Sequence, residues 1–68
     1  MNTVAREKKR TLLIISRKSK GLTQSELAER VGISRPYLAN IERGEYDPSL
    51  KVAQLLSQQL GKPIDDLF

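Results

Sequence analysis

Hydrogen-bonding and ionic groups are the chemistry this chain holds in quantity. Among its 68 residues, 12 are Lys or Arg and 8 are Asp or Glu, while His and Cys are absent. Without imidazole or thiol there is no ordinary nucleophile–base pair and no thiolate or imidazole metal site. The side-by-side carboxylates Asp65 and Asp66 follow Pro63. They fit the first turn of a short helix, where acids favour the positive end of the helix dipole. An enzyme, a metal and a cofactor are therefore not expected. Guanidinium, carboxamide and hydroxyl groups remain, and these bind partners rather than transform them.

The charge is unevenly placed. Residues 1–20 hold seven Lys or Arg and one acid, Glu7, a balance of +6. Residues 21–68 hold five and seven, a balance of −2. A basic end on a small domain suits a polyanion, although a solvated helix face that serves solubility has the same composition. The longest apolar run, Leu12-Leu13-Ile14-Ile15, is far below the ~20 residues of a membrane span. Arg17, Lys18 and Lys20 follow it at once, which argues against a secretory leader. Freedom from Cys fits a cytoplasmic protein.

A chain of this length is expected to form one domain, spanning 1–68, with a small core. Apolar residues recur at three and four rather than two, so helices are predicted throughout and strands nowhere. The first helix is predicted over about Thr3 to Ser19, with Leu13 and Arg17 facing inward. The second runs from Gln24 to Val31. Thr23 and Glu26 form a capping box, and Leu22 and Leu27 flank the cap as a hydrophobic staple. The third follows Ser34 as N-cap, tolerates Pro36 in its first turn and ends at Gly44. The fourth spans Leu50 to Leu60, capped by Ser49 and closed by Gly61. A last turn covers Ile64 to Phe68.

The informative stretch is Gln24 to Arg43, QSELAERVGISRPYLANIER. It predicts two short helices joined by a tight turn at Gly32-Ile33-Ser34, a helix-turn-helix. Ala28 is small where the two helices meet. Gly32 accepts the positive φ the turn needs. Leu27, Val31, Ile33, Leu38 and Ile41 supply the inner face.

The stretches GLTQSELAERVGIS and RPYLANIERG and the tail DPSL…AQLLSQQLGKPIDDLF resemble the phage repressor/Cro-like (XRE) helix-turn-helix family. The resemblance covers about residues 13–68. It implies an all-α, compact five-helix bundle of the lambda-repressor-like kind, whose third helix enters the major groove of double-stranded DNA. By position, Arg35, Pro36, Ala39 and Asn40 are then the base-reading candidates. Arg35 suits guanine O6 and N7, Asn40 suits adenine N6 and N7, and Pro36 or Ala39 suits a thymine methyl. Pro36 departs from the polar residue often found at its position. Gln24, Ser25, Tyr37, Arg43 and Tyr46 are the phosphate candidates; packing against a neighbouring helix accounts for the two tyrosines equally well. The family also implies a structural ion pair between Arg17 and Glu42. Ser16 departs from the leucine usual at its place. Leu12 and Ile15 add apolar surface beyond one stripe.

The implied function is a sequence-specific transcriptional regulator, a repressor or autoregulator that binds an inverted repeat as a homodimer. Half-site centres would then lie ~34 Å apart. Ile64, Leu67 and Phe68 are the dimer-interface candidates, although Ile64 and Leu67 could instead close the monomer core. A separate regulatory partner protein is compatible with so small a unit. The rival readings are a protein-bridging or antitoxin-type module on the same fold, and nonspecific nucleic-acid binding by the basic first helix. Arg35 and Arg43 on the third helix oppose the bridging module, whose outer face would favour acids.

Overall fold

The computed structural model describes residues 9–68. Five helices follow one another, and no strand occurs among the described residues: α1 Thr11–Ser19, α2 Gln24–Val31, α3 Arg35–Glu42, α4 Leu50–Leu60 and α5 Ile64–Leu67. The helix predicted from Thr3 begins later, and residues 3–8 of that expectation lie outside the described residues. Lys9 and Arg10 are not helical. Arg10 has φ −89° and ψ 79°, and its backbone N–H donates to the Glu42 carbonyl at 2.8 Å. A bond to the end of α3 thus takes the donor that would otherwise serve a longer helix.

The predicted caps are in place, and they set the angle between α2 and α3. The Thr23 hydroxyl accepts from the Glu26 N–H at 3.0 Å, and the Glu26 carboxylate accepts from the Thr23 N–H at 2.8 Å. Two otherwise orphan donors of the first turn are satisfied together. At the far end Gly32 has φ +77°, a left-handed conformation that costs a residue with a Cβ about 1–2 kcal/mol. Its N–H donates to the Glu29 carbonyl, and the Ile33 N–H reaches back to Ala28 at 2.9 Å. This double closure stops α2 and turns the chain within two residues. Ser34 then caps α3, its hydroxyl accepting from the Tyr37 N–H at 3.1 Å.

The core consists mainly of leucines drawn from every helix. Leu13, Leu27, Leu38, Ile41, Leu56 and Leu60 are fully buried. Each is worth about 1.5–3 kcal/mol of apolar transfer. α2 packs against α3 and α4, while α1 packs against α3 and α5. The inner side of α3 is therefore held from two directions.

One expectation is corrected here. Leu67, a dimer-interface candidate, is 3% exposed and belongs to the core cluster. Its burial closes the bundle beneath α5. Ile64 and Phe68 are half-buried and keep some surface.

Candidate nucleic-acid interface

Helix α3 has two unlike sides. Leu38, Ile41 and Glu42 are buried, whereas Arg35, Pro36 and Arg43 are exposed and Tyr37, Ala39 and Asn40 are half-buried. With 3.6 residues per turn, positions 35, 36, 39, 40 and 43 share one side, opposite the leucine and isoleucine that anchor the helix. The base-reading candidates thus lie together on the outward side, and no other described element encloses it.

Beneath that surface sits the Arg17–Glu42 pair. Arg17 Nε donates to Glu42 Oε2 at 2.7 Å and Nη2 to Oε1 at 3.2 Å, with side chains 8% and 3% exposed. Arg17 Nη1 also donates to the Leu22 carbonyl at 2.9 Å. One guanidinium therefore binds α1 to α3 and to the approach of α2. A two-pronged geometry of this kind is what an arginine supplies and a lysine does not.

Gln24 connects this buried pair to the surface. Its Nε2 donates to Glu42 Oε1 at 2.9 Å, and its Oε1 accepts from Arg35 Nη1 at 3.3 Å. The first residue of α2 is thereby joined to the first residue of α3 through side chains. Ser25 is exposed beside it in the same turn. Just past the end of α3, Arg43 Nη2 donates to Asn40 Oδ1. Tyr37 and Tyr46 lie with ring centroids 6.0 Å apart and planes at 45°, and Tyr46 is 51% exposed. A tilted arrangement at this distance is attractive and leaves the Tyr46 edge open to solvent.

Arg10 was not singled out in the sequence. Its Nε donates to the Ile41 carbonyl at 3.1 Å and its Nη2 to Asp47 Oδ1 at 2.6 Å. Its guanidinium carbon lies 5.0 Å from the centre of the Phe68 ring, a cation–π contact. Arg10 thus meets carbonyls at the C-terminal end of α3, where positive charge favours the helix dipole. The signal was hidden because Arg10 falls in a run of four basic residues among positions 6–10, and nothing local distinguishes it.

Two helices joined at Gly32, the second exposing a polar side, are the geometry of a helix-turn-helix. The family model described as Helix-turn-helix matches residues 13–67. The chain belongs to the XRE-type helix-turn-helix family. It is 48% identical over 60 residues to an uncharacterized HTH-type transcriptional regulator of Methanothermobacter thermautotrophicus, covering 87% of each chain. It is 49% identical over 45 residues to the immunity repressor protein of Bacillus phage phi105, covering 66% of this chain and 31% of the repressor. Among solved structures, the restriction-modification controller protein C.AhdI from Aeromonas hydrophila superposes with a TM-score of 0.79 at 32% identity, covering 96% of this chain and 98% of the controller. This helix-turn-helix protein is accordingly a DNA-binding transcriptional regulator, not an enzyme. No helix among the described residues is long and apolar enough to cross a membrane.

Proposed function

We propose that this helix-turn-helix regulator represses transcription, its own included, by binding an inverted-repeat operator as a homodimer in the cytoplasm. α3 lies in the major groove, where Arg35 and Asn40 meet base edges while Pro36 and Ala39 give apolar contact. Gln24, Ser25, Tyr37, Arg43 and Tyr46 meet the phosphates that flank the groove and set the register. Gln24 has a second donor hydrogen on Nε2 that its bond to Glu42 leaves available. A single module of this size makes few base contacts, so pairing two on one duplex raises affinity through effective concentration. Ile64 and Phe68 are the surface we assign to that pairing.

The observation that carries this reading is the division of α3 into a locked inner side and an open polar outer side. Selection of bound duplexes from a random pool tests it. An inverted repeat with half-site centres ~34 Å apart is expected. Gln24→Ala is expected to weaken binding to every duplex and, through its bond to Arg35, to relax one base position as well. Asn40→Ala is expected to relax a different position while affinity for random DNA holds. The same binding profile for both variants would defeat this division of roles.

A further inference from the structure

Helix α1 carries apolar side chains on two flanks. Leu13 turns inward with Ser16 and Arg17, whereas Leu12 is 38% and Ile15 55% exposed. Three residues apart, Leu12 and Ile15 are neighbours on the helix surface. Arg17 leans toward Glu42 of α3, and Leu12 lies about 140° round the helix from it, on the flank toward α5. α5 runs alongside α1 in the opposite direction. At one end Lys20 reaches the Gly61 that precedes α5, where a Cβ would lie 4.0 Å from Lys20 Nζ. At the other end the Phe68 ring lies 5.0 Å from the guanidinium carbon of Arg10, the residue before α1. Between these points α5 presents half-buried Ile64 and Phe68, with exposed Asp65 next to them around the short helix. The two helices thus share one face with an apolar middle. Its α1 edge is basic through the exposed Lys18, and its α5 edge is acidic through Asp65.

We propose that a second copy of this chain seats on this face, with α1 of each copy lying over α5 of the other. The proposal deepens the homodimer reading above and rests on it. Area argues for the larger face. A stable interface buries roughly 800 Å² on each partner. Ile64 and Phe68, each already half covered by its own chain, cannot alone form the apolar centre of such a patch. Leu12 and Ile15 double the apolar side chains available there. Charge selects the orientation. A two-fold axis presents the same face twice, so every contact occurs as a reciprocal pair. An axis along the helices sets α1 over α5, and Lys18 of one copy then meets Asp65 of the other. An axis across them sets α1 on α1, and Lys18 then meets Lys9 and Arg10 at the basic start of the other helix. The first joins opposite charges and the second like ones, and like charges facing each other across an interface are strongly unfavourable. None of the base-reading candidates belongs to this face.

Sedimentation velocity of the full chain, free and on the duplex enriched by selection, counts the copies and measures their association. Ile15→Glu, Lys18→Glu and Asp65→Lys are compared with the parent, each with its melt recorded at low protein concentration. Ile15→Glu is expected to weaken association at least about tenfold and to leave base preference unchanged. Lys18→Glu and Asp65→Lys are each expected to weaken it about threefold. An equimolar mixture of those two is expected to associate as the parent does, because both reciprocal contacts of the mixed pair then join opposite charges. A parent dimer whose association Ile15→Glu leaves unmoved, whether or not the melt falls, would overturn this face and leave the homodimer intact. Tighter association of Lys18→Glu would do the same, since it points to α1 lying on α1. A parent that is monomeric when free and binds the enriched duplex as a single copy would overturn the homodimer, and this proposal with it.

Discussion

Replacing Arg17 by Met separates folding from DNA contact in this regulator. Arg17 is 7% exposed and makes three hydrogen bonds, two to the Glu42 carboxylate and one to the Leu22 carbonyl. Methionine fills the aliphatic part of that space and supplies no donor. Glu42, 2% exposed, keeps the Gln24 Nε2 contact but loses its counter-charge. Breaking a buried pair from one side costs ~3–5 kcal/mol, because the remaining charge stays desolvated. The surviving Gln24 bond argues for the lower end, ~3 kcal/mol. A domain of this length has a total stability of about 3–10 kcal/mol. The expected loss therefore lowers Tm by about 12–24 °C, at 4–8 °C per kcal/mol. Far-UV circular dichroism melts at one fixed protein concentration measure it, since the proposed homodimer would make Tm concentration-dependent. The double variant Arg17→Met with Glu42→Leu removes both charges and is expected to recover most of the loss. An Arg17→Met melt within about 4 °C of the parent, equivalent to ~1 kcal/mol, would refute the claim that an uncompensated carboxylate is what the substitution leaves behind. So would a double variant no more stable than the single one.

Arg10→Ala is expected to destabilise the fold by ~1–2 kcal/mol in urea unfolding, since it removes the bond to the Ile41 carbonyl and the contact with the Phe68 ring. Asp47→Ala is expected to change the same curve little, because the Asp47 side chain is 94% exposed and an ion pair in solvent contributes almost nothing. Equal losses for the two would show that the salt bridge, not the carbonyl bond, secures α3. Ser16 is 3% exposed and its hydroxyl has no hydrogen-bond partner among the described residues. Ser16→Ala removes that unsatisfied group and is expected to raise stability by ~0.5–1 kcal/mol, read as an upward shift of several degrees in Tm. A lower Tm for Ser16→Ala would mean that the hydroxyl is satisfied in solution.

How much of this could be read from the residues depended on how local the cause was. The ends of α2 and α3 were legible because Thr23, Glu26, Gly32 and Ser34 act on backbone groups within a few positions of themselves. The inner side of α3 was legible from spacing alone, since Leu38 and Ile41 are three apart and both are fully buried. The start of α1 was not. Its limit is set by Arg10, whose backbone and side chain bond to Glu42 and Ile41, more than thirty residues away. A run of basic residues carries no mark of which one turns inward. Leu67 was ambiguous for a related reason. An apolar residue on a four-residue helix has no opposite side against which its orientation can be judged, so only the packed bundle decides it.

The proposed base-reading surface shows the same limit in a form that bears on function. Residue type alone pairs Asn40 with adenine, because a free carboxamide matches adenine's donor and acceptor. What a carboxamide offers also depends on its neighbours, and here Arg43, just past the end of α3, donates to one of the two lone pairs of the Asn40 carbonyl oxygen. Gln24 behaves likewise under Glu42, a residue that touches no surface itself. The buried acid thus does two jobs with one group. Its charge holds Arg17 and the bundle, and its lone pairs orient the amide that in turn holds Arg35. Removing Glu42 should therefore disturb base preference as well as melting. Removing an apolar core residue such as Leu56 should disturb melting alone, because no hydrogen bond carries its effect to the surface of α3.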